Sequence, residues 1–274
     1  MTLTTQHFGV EIPTVGFGTW QLEGAVAHHG VLEAIHAGYR HIDTAQAYGN
    51  EEFVGRGLSD SQLQRDEYFL TTKVWKDKYR DGDLQQSVEI SLEKLGVDSV
   101  DLLLLHWPND DVPMEETIAA LNDAHKQGLT RHIGVSNFTT ALLDKAVRIS
   151  EAPILTNQIE YHPFIDQSAV IEAASALGTS ITAYCPLAQG KVMHDPVIGE
   201  IAKGHDVSPV QVTMRWFVQQ PGVICLPRSS KAEHIRTNND IYDFALTPDE
   251  MAQITELNRQ NMRLINPGWG PDWD

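Results

Sequence analysis

The sequence predicts an α/β fold, a (β/α)8 TIM barrel, and three features of the chain support this. Its 274 residues are enough for one barrel, so we expect a single domain over residues 1–274. Short apolar runs alternate with amphipathic stretches along the whole chain. Most neighbouring runs begin roughly thirty residues apart, which is typical of parallel strands joined by helical crossovers and too wide for hairpins.

Seven apolar runs are the predicted strands, and an eighth is expected near the amino terminus. The seven runs, in chain order, are Arg40–Asp43, Tyr68–Lys73, Val100–His106, Thr130–Val135, Ile154–Gln158, Ser180–Ala183 and Val223–Leu226. We expect Val15–Gly18 to supply the eighth strand, after a short β-hairpin around Gly9.

The stretches between the runs carry signals for the start and end of helices. Asp83 is predicted to cap a helix with one apolar face, and Gly96 to end it. Pro113 is predicted to open the next helix, and Gly128 to close it. These local signals agree with the strand spacing.

A doubly wound open sheet is the alternative fold. Its nucleotide-binding form needs the pattern Gly-x-Gly-x-x-Gly after the first strand. Here Gly16 and Gly18 are followed by Gln21, where that pattern needs glycine. The closed barrel is therefore favoured.

Composition and charge exclude several classes of protein. Apolar residues make up 42% of the chain and charged residues 21%, which is wrong for a disordered protein. The two cysteines, Cys185 and Cys225, form no Cys-x-x-Cys pair, which excludes a disulfide scaffold and fits a reducing compartment. A net charge of −17 argues against a nucleic-acid partner, and an anionic cofactor would need a local basic patch.

The sequence gives no indication of a membrane span or an export signal. The most apolar stretch, Leu102–Leu105, is flanked by Asp101 and His106 and is far shorter than a span. The first basic residue is Arg40, so a secretory signal is not expected. We therefore expect a cytoplasmic protein without a membrane partner.

Four polar side chains lie at or just after strand ends, which a barrel brings to one rim. Asp43, Lys73 and His106 each end a run, and Tyr48 follows Asp43 closely. Taken singly, each has an ordinary explanation, such as a turn cap, a packed aromatic or a core histidine. Together they predict a catalytic cluster at the barrel mouth, and we expect no metal site.

The chemistry of this cluster points to carbonyl reduction. A phenol has an ordinary pKa of about 10, which is too high for efficient proton donation at neutral pH. An ammonium group such as Lys73 about 4 Å away is expected to bring the pKa of Tyr48 toward neutrality, with Asp43 keeping the lysine charged. Tyr48 can then give a proton and His106 can orient a carbonyl oxygen by hydrogen bonding. That a nicotinamide cofactor supplies the hydride is implied in part by the resemblance of the surrounding motifs to a known family.

Motifs spread from Gly16 to about Phe244 match one known family in content, order and spacing. They are Gly38–Ala45, Tyr48–Glu51, Thr71–Trp75, Val100–Leu102, His106–Pro108, Ile133–Phe138, Asn157–Glu160 and Pro227–Ser230. They resemble the aldo-keto reductase superfamily, and within it the bacterial 2,5-diketo-D-gluconate reductases, particularly the shorter B-type enzymes with a Trp-Asp tail. The resemblance implies a reductase whose catalytic tetrad is Asp43, Tyr48, Lys73 and His106.

The resemblance also implies an NADPH site. The residues that match the family's cofactor contacts are Ser136, Asn137 and Gln158 for the carboxamide, Tyr184 for ring stacking, Arg228, Ser229 and Lys231 for the 2′-phosphate, and His234 and Asn238 around the adenine. His234 stands where many members have an arginine, and Arg228 where many have a lysine. Because neutral imidazole adds little charge, we expect NADPH preference with weakened discrimination against NADH.

The substrate pocket is predicted from aromatic residues that follow strands. Trp20, Trp75 and Trp107 are expected to wall a cleft around His106, and Trp269 lies in a short tail expected to fold over the barrel mouth. Such walls favour small carbonyl compounds. Aldehydes, methylglyoxal, 2,5-diketo-D-gluconate and other α-keto compounds all fit, and the resemblance suggests a monomer.

Two other functions are the alternatives. One is a non-redox barrel enzyme in which Lys73 forms a Schiff base, although Asp43 is expected to keep this lysine charged. The other is a regulatory barrel that binds the cofactor without physiological turnover, similar to potassium-channel β-subunits.

Overall fold

The computed structural model describes residues 3–274 and begins with the predicted hairpin. Strand β1 (Thr4–His7) pairs antiparallel with β2 (Val10–Pro13), and Phe8 and Gly9 form the turn with φ values of 50° and 78°. Ile12 on β2 belongs to a buried apolar cluster with five side chains of the barrel strands: Phe69, Leu102, Leu104, Leu155 and Ile224. The hairpin therefore packs against the barrel interior and covers one end of it.

Eight parallel strands follow, each hydrogen-bonded to the next along the chain. They are β3 (Phe17–Gly18), β4 (His41–Asp43), β5 (Phe69–Val74), β6 (Val100–Leu105), β7 (Thr130–Ser136), β8 (Ile154–Glu160), β9 (Ser180–Tyr184) and β10 (Val223–Cys225). Val15 pairs in parallel with Cys225, and the Gly18 amide donates to the Pro227 carbonyl at 3.0 Å. These contacts join the last strand to the first, so the predicted (β/α)8 barrel is confirmed, with β3 shorter than expected.

Helices lie outside the strands and bury their apolar faces against them. They are α1 (Gly24–His36), α2 (Glu51–Asp60), α3 (Asp83–Leu95), α4 (Met114–Lys126), α5 (Thr140–Ile149), α6 (Ser168–Ala176), α7 (Pro196–His205), α8 (Pro209–Val218), α9 (Ala232–Asn239) and α10 (Pro248–Thr255). Within residues 3–274, no helix is long and apolar enough to cross a membrane.

The predicted helix boundaries are close to those observed, with one shift. Asp83 is the first helical residue of α3, and the cap position falls on Gly82, whose amide donates to the Gln85 side chain at 2.8 Å. Gly96 ends α3 in the left-handed conformation, with φ of 68°, as glycine allows at this position. The prediction that Asp83 caps α3 is therefore wrong by one residue, because Gln85 satisfies the free amide instead.

The contact between α2 and α3 depends on a glycine. A Cβ atom at Gly55 would meet the backbone oxygen of Leu95 far inside van der Waals distance, and backbone cannot move aside cheaply. We expect Gly55→Ala to lower the free energy of unfolding by about 3 kcal/mol, measured by urea denaturation. Gly199→Ala in α7 is the matched control, because a Cβ there meets nothing within 4 Å and should be neutral or slightly stabilising. Equal stability of the two variants would contradict the close approach.

Candidate active site

The four predicted catalytic side chains lie at one rim because parallel strands end together. Asp43 ends β4, Lys73 is the penultimate residue of β5, and His106 follows β6 directly. Tyr48 ends a short 3-10 turn, Gln46–Tyr48, in the loop after β4. The structure therefore brings all four to the carboxyl-terminal mouth of the barrel.

Lys73 is the centre of the cluster, and its side chain is fully buried. Its Nζ atom donates to Asp43 Oδ1 at 2.5 Å, to the Thr44 carbonyl at 2.8 Å and to the Tyr48 hydroxyl at 3.2 Å. These three acceptors match the three hydrogens of an ammonium group. The ammonium is thus fixed between a carboxylate and a phenol, in the order Asp43, Lys73, Tyr48.

The electrostatics of Tyr48 differ from the prediction. Burial raises the pKa of the Tyr48 phenol well above its ordinary value, and the nearby Asp43 carboxylate raises it further. The expectation that Lys73 brings this pKa toward neutrality is therefore wrong. The main physical reason is the burial of the phenol, and the Asp43 carboxylate adds to it. Tyr48 consequently keeps its proton across the whole neutral range.

Burial also lowers the pKa values of the two basic groups of the cluster, Lys73 and His106. It lowers the pKa of Lys73, while the Asp43 carboxylate opposes this and favours the charged form. For His106, burial and the Lys73 charge both lower the pKa well below its ordinary value, so the imidazole is neutral at physiological pH.

The neutral ring of His106 has a preferred tautomer. Its Nδ1 atom is buried and has no hydrogen-bond partner among the described residues. A buried N–H without an acceptor is rarer in proteins than an unfilled acceptor, so we place the proton on Nε2. The ring meets Tyr48 and Trp75 edge to face, with centroids 5.6 and 5.1 Å apart. His106 can thus donate one hydrogen bond at the mouth.

The predicted carboxamide contacts are hydrogen-bonded to this cluster. Gln158 Nε2 donates to the second carboxylate oxygen of Asp43 at 2.8 Å, and Ser136 Oγ donates to the Gln158 carbonyl at 2.8 Å. Asn137 Nδ2 donates to the His106 carbonyl at 3.0 Å. All three side chains are buried, so the Ser136 hydroxyl and the amide groups of Asn137 and Gln158 are held in fixed positions beside the tetrad.

Tyr184 completes this group from β9. Its hydroxyl donates to Asn137 Oδ1 at 2.8 Å, and its ring is only partly buried. Asn137 has φ of 64°, a left-handed conformation that asparagine tolerates better than most residues. The structure therefore gathers the tetrad, the three polar side chains and Tyr184 in one network.

The predicted phosphate-binding residues lie in the loop after β10 and at the start of α9. Arg228 is exposed and donates to the carbonyls of Trp20 and Gln21 at 2.9 and 2.8 Å, which fixes its direction. Ser229 is nearly buried, and its Oγ accepts from the Lys231 amide at 3.1 Å. On α9, His234 is exposed and Asn238 is buried.

Indoles surround the mouth, and the carboxyl-terminal tail supplies two of them. Trp269 meets Trp75 and Trp107 edge to face, with centroids 5.9 and 5.1 Å apart, and Trp273 meets Trp107 at 6.1 Å. The tail thus folds over the mouth as predicted. Trp20 makes no ring contact within residues 3–274; it is 40% exposed, and its carbonyl accepts from Arg228. The sequence analysis does not place Trp273 near the mouth, although its indole side chain, four residues after Trp269, could have indicated this position.

Among residues 3–274, no group of three histidine, cysteine or carboxylate side chains is arranged to hold a metal ion. The two cysteines are free thiols.

Comparisons with known proteins agree with this geometry. The profile of the aldo/keto reductase family matches residues 14–259. Methylglyoxal reductase DkgB of Escherichia coli O157:H7 is 41% identical over 96% of this chain and 99% of its own. A solved structure proposed to be a 2,5-diketo-D-gluconic acid reductase B is 48% identical, covers 100% of this chain and 98% of its own, and superposes with a TM-score of 0.98. The Bombyx mori aldo-keto reductase in complex with NADP is 33% identical, with coverages of 97% and 95% and a TM-score of 0.90.

Proposed function

Because this chain belongs to the aldo/keto reductase family, we propose that Tyr48 donates the proton in the carbonyl reduction that it catalyses. The protein is an oxidoreductase that reduces carbonyl groups with NADPH as cofactor. The observation that carries the assignment of Tyr48 is its hydrogen bond, 3.2 Å long, to a buried ammonium that is itself paired with Asp43.

Each residue of the cluster has a distinct task in this reduction. The bound nicotinamide supplies the hydride, which goes to the carbonyl carbon. His106 donates a hydrogen bond from Nε2 to the carbonyl oxygen and so orients the substrate. As negative charge develops on that oxygen, the Tyr48 hydroxyl transfers its proton and an alcohol forms.

A high pKa of Tyr48 is compatible with this task. An alkoxide is a much stronger base than a phenolate, so the proton moves from tyrosine to the new alcohol even when burial raises the phenol pKa. The phenolate left behind lies beside the Lys73 ammonium, which stabilises it. Asp43 holds that ammonium in place, and solvent returns the proton to Tyr48.

The residues around the mouth fit a nicotinamide dinucleotide. A carboxamide needs both donors and acceptors, which Ser136, Asn137 and Gln158 offer next to the tetrad. The partly exposed ring of Tyr184 can pack against a flat nicotinamide. The groups proposed to hold the 2′-phosphate and the adenine are Arg228, Ser229, Lys231, His234 and Asn238.

We propose that the substrates are small carbonyl compounds bound between Trp75, Trp107 and Trp269. Relatives include a methylglyoxal reductase, a glyoxal reductase and a solved structure described as a 2,5-diketo-D-gluconic acid reductase. Methylglyoxal, glyoxal and 2,5-diketo-D-gluconate are therefore the first substrates to test. Consumption of NADPH is followed by its absorbance, with a simple aldehyde as reference. Absence of turnover with every carbonyl compound would contradict the proposal and leave a cofactor-binding regulatory barrel as the alternative.

A Schiff-base mechanism is disfavoured by the surroundings of Lys73. Its Nζ donates to three acceptors and pairs with Asp43, so it is not the neutral, unpaired amine that attacks a carbonyl. Borohydride should therefore trap no substrate on the protein. We further propose that the chain works as a single-domain monomer in the cytoplasm.

Cofactor preference provides a separate prediction. We expect the unmodified protein to prefer NADPH with incomplete discrimination against NADH. His234→Arg should raise the ratio of the kcat/KM values for NADPH and NADH about tenfold, because a guanidinium adds a charged contact to the 2′-phosphate. Arg228→Gln should lower the ratio. Arg236→Gln is the matched control, since this exposed arginine of α9 pairs with Glu33 at 2.9 Å. A strict NADH preference of the unmodified protein would refute the proposed phosphate contacts.

A further inference from the structure

The carboxyl-terminal strap, residues 261–274, crosses the barrel mouth. Trp269 in the strap packs against Trp75 and Trp107, so the strap supplies part of the substrate-facing wall. Its last contact is Asp274, whose carboxylate accepts from the Thr140 amide at 2.9 Å and from the Thr140 hydroxyl at 2.6 Å. The position of this wall therefore depends on what fixes the strap.

A buried carboxylate holds the start of the strap. Glu160, the last residue of β8, is 0% exposed. Its Oε1 accepts from the Leu264 amide at 2.6 Å, and its Oε2 accepts from the Ile265 amide at 2.7 Å. The ring of His162 lies 3.0 Å from Oε1. Two successive backbone amides of the strap thus bind both oxygens of one carboxylate.

The strap has further contacts with the barrel. The Met262 amide donates to the Phe164 carbonyl at 2.7 Å, and Met262 and Leu264 pack against the hydrophobic core. Lys76 Nζ stands 3.7 Å from the Trp269 ring centroid, and Trp269 is 48% exposed, so this cation–π contact is partly solvated. The Asp274 contacts with Thr140 are also exposed to solvent. Hydrogen bonds to a buried charged group are stronger than such solvent-exposed contacts. Glu160 therefore supplies buried, charge-assisted hydrogen bonds between the strap and the barrel.

Burying a carboxylate destabilises the folded protein unless hydrogen bonds or an opposite charge offset the loss of hydration. Among the described residues, the Glu160 side chain makes no hydrogen bond to Asp43, Lys73 or Tyr48. Two of its three hydrogen-bond contacts go to backbone amides of the strap, and the third is with His162. We propose that Glu160 is a positioning residue that anchors the strap and thereby sets the substrate-facing wall at Trp269. This inference rests on the proposed function, because it concerns the substrate of that same mouth.

The first test is Glu160→Gln, which replaces one acceptor oxygen by an NH2 group facing a backbone amide. We expect KM for methylglyoxal to rise about tenfold while kcat changes less than about threefold, because the tetrad is untouched. Hydrogen exchange of the Leu264 and Ile265 amides should accelerate, and trypsin should cleave faster after Arg263. These two readouts follow the strap without depending on activity.

Asp101→Asn is the matched control. Asp101 is also a buried carboxylate that accepts a backbone amide, from Leu70 at 2.8 Å, and it pairs with Arg65 and Arg131. It is the second residue of β6, at the opposite end of the barrel from the mouth. Its loss should lower Tm as the loss of Glu160 does, but leave KM and the exchange of the strap amides unchanged.

Two further variants distinguish the outcomes. Leu264→Pro removes the amide hydrogen that Leu264 donates to Glu160 and should also raise KM. This variant tests the anchoring role if Glu160→Gln fails to fold. In Glu160→Gln combined with Trp269→Ala, the rise in KM should be smaller than the product of the two single effects, because both act through one wall. Unchanged strap exchange, or multiplicative effects on KM, would overturn the anchoring role. An unmodified protein that reduces no carbonyl compound would instead overturn the proposed function.

Discussion

Tyr48→Phe is expected to lower kcat for carbonyl reduction about a thousandfold while leaving the Kd for NADPH within about twofold. The substitution removes the only hydroxyl that contacts the Lys73 ammonium among the described residues. It leaves the ring and its edge-to-face contact with His106 in place. Steady-state kinetics with methylglyoxal give kcat, and titration of protein fluorescence gives the Kd.

Tyr39→Phe is the control for the loss of a tyrosine hydroxyl as such. Tyr39 is buried and donates to the Ile235 carbonyl at 3.1 Å, away from the mouth. Its replacement should cost about 1 kcal/mol of stability and leave kcat unchanged. If Tyr48→Phe kept kcat within about tenfold of the unmodified protein, another group would have to supply the proton.

The barrel and the meeting of the four tetrad residues could be predicted because both follow from local pattern and simple geometry. Apolar runs at the crossover spacing identify parallel strands, and parallel strands end at one rim. Asp43, Lys73 and His106 were therefore placed together without knowledge of side-chain positions. Aromatic residues after strands likewise indicated Trp75 and Trp107 as neighbours of the mouth.

The direction of the Tyr48 pKa could not be predicted in the same way. It depends on how far the phenol is desolvated and on how fully Asp43 neutralises Lys73, and neither quantity is visible in a sequence. The Glu160 anchor was also hidden. Its partners are backbone amides about a hundred residues further along the chain, and backbone amides carry no residue signal.

Lys73→Met is expected to affect both activity and stability. The free energy of unfolding should fall by about 3–5 kcal/mol, because the substitution leaves the buried Asp43 carboxylate without its cation. Gln158 still donates to the other oxygen of Asp43, but a neutral amide does not replace an ammonium. kcat should fall at least about a hundredfold, since no cation remains to stabilise the Tyr48 phenolate.

Stability and catalysis can be separated by removing both charges. In Asp43→Asn combined with Lys73→Met, no unpaired charge stays buried, so urea denaturation should show recovery of most of the free energy lost in Lys73→Met alone. The kcat should not recover, because the phenolate still lacks its cation. Recovery of kcat together with stability would mean that Lys73 serves only to balance the Asp43 charge, and that the ammonium has no part in proton transfer from Tyr48.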